Sequence, residues 1–191
     1  MPLADSLVRS VNSAEFVSTP DMLTYLAAST GHTTLVAGLV QAARSQVEKD
    51  TRRAFLVQTW VYKADSFPRS REYMELPRPP LSVVDSIVYT ASTGNSVTWS
   101  STNYEVDTNR TPGVVWTTYD SDWPDTQPTQ NAVAVTYQAG YTTAAASVPD
   151  QAKQAVRLLV SDWFNHRSID GPANRENYNS LIHSLRWGDY Q

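Results

Sequence analysis

Few side chains in this 191-residue chain are of a type and spacing that could act on a substrate. The three histidines, His32, His166 and His183, fall in separate segments. Only Asp162, four residues before His166, stands at the interval by which one helix face presents two ligands to a metal. An Asp–His pair at that spacing is also an ordinary contact on an exposed helix face, and with no third ligand in step it reads as that. The chain has no cysteine, which removes thiolate catalysis, disulfides and Cys-based zinc sites. Serine and threonine are plentiful, but none lies in G-x-S-x-G or in an S-x-x-K supported by partner motifs. The seven glycines never form G-x-G-x-x-G or G-x-x-x-x-G-K, so no phosphate cradle is written into the chain. Asp120-Ser121-Asp122-Trp123-Pro124-Asp125 opens like a calcium loop, yet it lacks the turning glycine and closing glutamate, and Trp123-Pro124 interrupts it. It reads instead as a solvated acidic loop around a half-buried tryptophan. The residues therefore imply no catalytic group, no metal, no cofactor and no enzyme.

Composition narrows the remaining classes. Fifteen Lys plus Arg against nineteen Asp plus Glu give a net charge of −4, which argues against a general polyanion binder. At 41% hydrophobic residues, with no apolar run near the ~18 residues of a membrane span, the chain reads as soluble. Its start, MPLADSLVRSVNSAEF, lacks the basic and apolar stretches of a secretory signal, which points to cytosolic synthesis. Twelve arginines against three lysines, with six Trp and ten Tyr, favour protein interfaces, where guanidinium and aromatic groups are enriched. A single-stranded nucleic-acid platform would need basic groups between its strand aromatics. The β-rich stretch 56–146 has the opposite balance, five basic against nine acidic residues, and so holds the entire net charge.

The elements that must position these groups follow from periodicity. Thr19-Pro20-Asp21 has the capping hydroxyl, early proline and first-turn carboxylate of a helix start, and Gly31 reads as its stop. From Thr33 to about residue 52, Leu35, Leu39, Ala42 and Gln46 beside Val36, Val40, Ala43 and Val47 predict one long helix with a wide apolar stripe. After Phe55 the texture changes to β-branched and aromatic runs between turn signals. These predict strands at 57–64, 73–76, 83–90, 96–99, 103–106, 113–118 and 132–138. With no crossover helices between them the strands are antiparallel, and Pro77, Pro79 and Pro80 mark an edge or a crossover. Pro149 then opens a helix with Ala152, Val156, Leu159, Val160, Trp163 and Phe164 on its apolar face, ending near Arg167. Past Gly171-Pro172, Tyr178, Leu181, Ile182 and Leu185 recur at helical period. The fold class is α+β, a helical bundle carrying an inserted antiparallel β module. Its parts are N-terminal helices at 1–55, the module at 56–146, a closing helix at 147–168 and a C-terminal arm at 169–191.

This order of short motifs resembles a known family. Ala42-Ala43-Arg44, Val47-Glu48 and Thr51-Arg52-Arg53 run into Gln58-Thr59-Trp60. Phe67-Pro68, Glu75-Leu76-Pro77-Arg78-Pro79-Pro80-Leu81-Ser82-Val83-Val84, Ile87, Tyr89 and Tyr104 to Asp107 follow. Val133, Val135, Tyr137, Ala139-Gly140-Tyr141 and Val148-Pro149 close the series. From about residue 18 to about 187 the series is similar to the head-to-tail connector, or adaptor, proteins of tailed bacteriophages and phage-like gene transfer agents. The resemblance implies a structural ring, usually of twelve copies, seated on the portal protein at the neck of the virion. Such a ring extends the DNA channel and docks a stopper or tail protein. DNA passes through it without sequence-specific binding, no membrane is involved, and the subunit is made in the cytoplasm of the bacterial host. The rival readings are a tail completion or stopper protein and a β-rich tail-fibre or carbohydrate-binding module.

Within that resemblance, the family's leucine pair followed by arginine places Tyr178, Leu181, Ile182, Leu185, Arg186 and Trp187 on an arm that docks on the portal. The alternative is that this segment folds back as a further helix of its own bundle. Arg52, Arg53 and Arg78 become contacts to the neighbouring subunit. Asp120, Asp122 and Asp125 become an acidic loop facing the channel, where like charge keeps DNA from being gripped.

Overall fold

The computed structural model describes residues 6–9, 15–70, 72–141, 147–166 and 175–187. The chain divides into two compact units, Met1–Asn12 with Val57–Gly140, and Ser13–Leu56 with Tyr141–Gln191.

The second of these is helical. Helix α1, Thr19–Tyr25, is capped one residue earlier than the sequence suggests: Ser18 Oγ accepts from the Asp21 amide at 3.2 Å, and Pro20 already lies in the first turn. The helix stops before Gly31, with Ala27 taking a positive φ of 49°. A single 3₁₀ turn, Thr30–His32, leads into α2, Thr33–Thr51. Of its two apolar rows only Val36, Val40, Ala43 and Val47 are buried; Leu35 is exposed and Leu39 half-buried. The stripe is narrower than its sequence because α1 and α3, Asp150–Asn165, cover the one row within a shared core and leave the other at the rim. Ala152, Ala155, Val156, Leu159 and Val160 of α3 complete that contact with Phe16, Met22, Phe55 and Leu56. Ser147 does not cap α3; Pro149 occupies the cap position with no side-chain bond. Helix α4, Arg175–His183, packs on both α2 and α3.

The other unit is two antiparallel sheets. Strands β1, Ser6–Arg9, β2, Gln58–Ala64, β4, Leu81–Thr90, β5, Ser96–Trp99, and β8, Val133–Ala139, form the larger, ordered β1-β2-β8-β4-β5. Strands β3, Met74–Glu75, β6, Tyr104–Asp107, and β7, Val114–Thr117, form the smaller, ordered β3-β7-β6. The last strand made thus lies centrally, and its alternation is complete: Val133, Val135, Tyr137 and Ala139 are buried and the residues between them are not. Trp60, Tyr137 and Val84 share one row across β2, β8 and β4. The proline stretch is the passage from the small sheet to the large one, ending where β4 begins. Under the sheets Phe67 contacts Tyr89, Trp99 and Trp123 at centroid distances of 5.0 to 5.6 Å, and Tyr104 stacks on Trp99 at 5.4 Å. Strand β1 is an element the sequence does not announce; it pairs with the outer edge of β2, Leu7 opposite Tyr62.

Candidate interaction surfaces

Residues 175–187, part of the expected C-terminal arm, have a place in the bundle. Tyr178, Ile182 and Leu185 are buried in the core of the helical unit, while Leu181, Arg186 and Trp187 are half-buried at its margin. What holds the segment is the end of α2, whose last carbonyls have no further turn to bond and where Asp50 offers a carboxylate. The Tyr178 hydroxyl donates to Asp50 Oδ2 at 2.7 Å, and Gln46 Nε2 donates to the same carboxylate at 2.9 Å. The Trp187 amide donates to the Thr51 carbonyl at 3.0 Å, and Arg53 Nε donates to the Leu185 carbonyl at 2.6 Å. Burial, reinforced by the Asp50 carboxylate, pushes the Tyr178 hydroxyl well above the ordinary tyrosine range. Residues 175–187 thus pack on their own bundle; residues 169–174 and 188–191, the rest of the expected arm, lie outside the described residues.

The three arginines assigned to subunit contacts divide. Arg53 is engaged within its own unit, with Nη1 also 3.4 Å from the Tyr141 hydroxyl. Arg78, half-buried at φ 63°, lays its guanidinium 5.4 Å from the Trp60 ring centre. Arg52 is the exposed one of the three, turned outward because the left-handed end of α2 falls on it, with φ 55°. A fourth arginine escapes the sequence reading. Arg44 is buried, with Nε 2.8 Å from Glu15 Oε2 and Nη1 3.2 Å from Glu48 Oε2, while Glu48 Oε1 accepts from the Phe55 amide at 3.4 Å. The Arg44–Glu48 interval of four is legible as a helical pair; its burial against Glu15 is not.

Asp120, Asp122 and Asp125 are all exposed, as a loop should be, but the tryptophan among them is anchored rather than half-buried. Trp123 Nε1 donates to the Glu72 carbonyl at 2.9 Å while its ring stacks on Phe67 at 5.0 Å. Beside it a cleft of about 440 Å³ is lined by Trp116, Thr117, Thr118, Tyr119, Asp120, Ser121 and Asp122. Nearby, the Arg110 guanidinium lies 4.8 Å from the Tyr73 ring and 6.0 Å from Trp116, and these two rings are 4.8 Å apart. Asp162 and His166 meet at 3.4 Å at the end of α3, as their spacing suggests, with His166 exposed and the Asp162 carboxylate largely covered. Among the described residues, no group of three or more metal-binding side chains is assembled, and no helix is long and apolar enough to cross a membrane.

No family model matches the chain, and no curated protein matches it in sequence. Solved structures do. A chain from the neck of an empty GTA particle computed with C6 symmetry superposes with a TM-score of 0.78 at 18% identity, covering 95% of each chain. A chain from the virion of a native gene transfer agent particle gives 0.76 at 16% identity over 94% of each. A chain from the neck of the native GTA particle computed with C12 symmetry gives 0.71 at 17% identity over 95% of each. At these identities the likeness is one of fold, and it spans both units.

Proposed function

We propose that this protein is a structural component of the neck of a phage-like particle, a connector subunit that stands between the DNA-filled head and the tail. The observation that carries the reading is the end-to-end fold match to chains of gene transfer agent necks, which includes the helices as well as the sheets. A carbohydrate-binding β module would need only the sheets. In this role copies of the chain form a ring on the portal protein, with twelve the expected number, and a stopper or tail protein docks beneath it. The exposed Arg52 is the candidate for contact with the neighbouring copy, and half-buried Leu181, Arg186 and Trp187 for contact with the portal. The unit that holds the sheets carries the chain's net negative charge, which suits a conduit that must release DNA rather than retain it.

The test is particle assembly with the gene removed, followed by imaging of particles containing an affinity-tagged chain. The expected result is filled heads without attached tails, and the tag in a ring at the neck. Tailed particles in its absence, or a tag at the tail tip or fibres, would overturn the reading.

A further inference from the structure

We propose that the cleft beside Tyr119 is a docking site for an arginine side chain presented by a partner polypeptide. Its walls are built before any partner arrives. The Thr118 amide donates to the Asn103 carbonyl at 3.0 Å, and the Ser121 amide closes a turn on the Thr118 carbonyl at 3.1 Å. Asp122 Oδ1 accepts from Ser70 Oγ at 3.0 Å, and the adjoining Trp123 is locked among Phe67 and Trp99. A turn pinned at both ends loses little freedom on binding, so contacts made there count nearly in full. At its tip Tyr119 is 99% exposed, a phenol ring left entirely in water by a turn that does not need it for folding. Such rigid aromatic groups are the common anchors of protein interfaces.

The charge of the lining selects the occupant. Asp120 and Asp122 supply two carboxylates against the single guanidinium of Arg110, 6.0 Å from the Trp116 ring, so the balance at the cleft is acidic and a cation is drawn in. Among cations a guanidinium fits best, because it can lie flat on an aromatic ring while its edge donates to a carboxylate in parallel bonds. The same surface already shows this chemistry from within, where Arg110 covers Tyr73 and Trp116. The identification of the partner as another protein of the particle rests on the neck reading; the recognition of arginine does not.

The test is a titration of the full-length protein with N-acetyl-arginine methylamide, followed by the indole N–H resonance of Trp116 and the ring protons of Tyr119. The citrulline analogue, which keeps the shape and loses the charge, runs in parallel with the lysine analogue. Saturable shifts at both residues are expected with arginine, at least tenfold weaker with citrulline and weaker with lysine. The double variant Asp120→Asn with Asp122→Asn keeps a side-chain oxygen at position 122 to accept from Ser70, and should lose the arginine response with the rest of its spectrum unchanged. An unmoved Trp116 signal, equal responses to citrulline and arginine, or full response in the double variant each overturn the proposal. None of these outcomes depends on where the protein sits in a particle. An arginine of a second copy would show instead as concentration-dependent self-association abolished by the same double variant.

Discussion

Replacing Arg44 by methionine isolates the interaction that ties the entrance of the helical unit to its longest helix. Methionine keeps most of the aliphatic volume, so the change removes the charge and its two contacts rather than opening a large cavity. The contacts run to Glu15 at 2.8 Å and Glu48 at 3.2 Å, and the side-chain exposures are 7% for Arg44, 17% for Glu15 and 6% for Glu48. Were the pairs on the surface, their loss would cost about 0.2–1 kcal/mol each. At this burial the larger effect is the stranded carboxylate, and removing one partner of a buried pair costs about 3–5 kcal/mol. A domain of this size is stable by only about 5–15 kcal/mol, so the variant sits close to unfolding. The assay is urea denaturation followed by helical circular dichroism, with a midpoint that falls while the slope is unchanged. In heat the same loss corresponds to a drop of about 6–20 °C. The cycle closes with Glu48→Gln, which keeps an oxygen for the Phe55 amide and removes the negative charge. The double variant should be less damaged than the sum of the two single ones. A loss below about 1 kcal/mol for Arg44→Met would falsify the argument, since it would mean that water reaches these groups freely.

Ser18→Ala removes the cap of α1 and should lower stability by about 1 kcal/mol in the same denaturation assay, with Ser18→Thr nearly neutral. Gly113→Ala places a Cβ against the Cβ of Leu81, so thermal melting should show a loss of about 1–3 kcal/mol that Leu81→Ala, which keeps that atom, does not relieve. Tyr178→Phe should change the alkaline limb of stability. Folding raises the hydroxyl's pKa, so the stability it contributes is complete below the ordinary value near 10 and is lost as pH rises beyond it. The variant should be weaker at pH 7, where the bond to Asp50 is gone, and should lose less on going from pH 9 to pH 11. Parallel curves would count against that assignment.

Much of this architecture is legible locally. The strands from Gln58 to Ala139 stand within a residue or two of where turn signals and β-branched runs place them, because most are bounded by Gly, Pro or Asn. What escapes is whatever depends on a distant partner. Ser6–Arg9 is a strand only because the edge of β2 is open beside it. Leu35 and Val36 are equivalent in periodicity, and only the packing of the other helices on α2 decides which is buried. The lodging of Tyr178 depends on Asp50, 128 residues earlier in the chain, and no spacing rule connects them. Of the site residues, the exposure of Asp120 and Asp122 followed from composition. The exposed Tyr119 and the anchored Trp123 beside them could not, since a tyrosine and a tryptophan close together in a loop look alike until one finds a stack.

The chain's path between its units has a consequence for how the protein is made. α2 ends at Thr51 and α3 begins at Asp150, so the two helices that face each other are separated by roughly a hundred residues of intervening chain. Closing a flexible loop of that length costs about 4 kcal/mol or more in entropy. The ladder between β2 and β8 does this work in advance, because Gln58 pairs with Ala139 and so brings the two exits of the loop side by side. β8 is also the last strand to leave the ribosome and the one on which the large sheet is centred. The sheet is thus a clasp: with β8 paired to β2, the helices on either side of the intervening chain no longer have to meet across its full length.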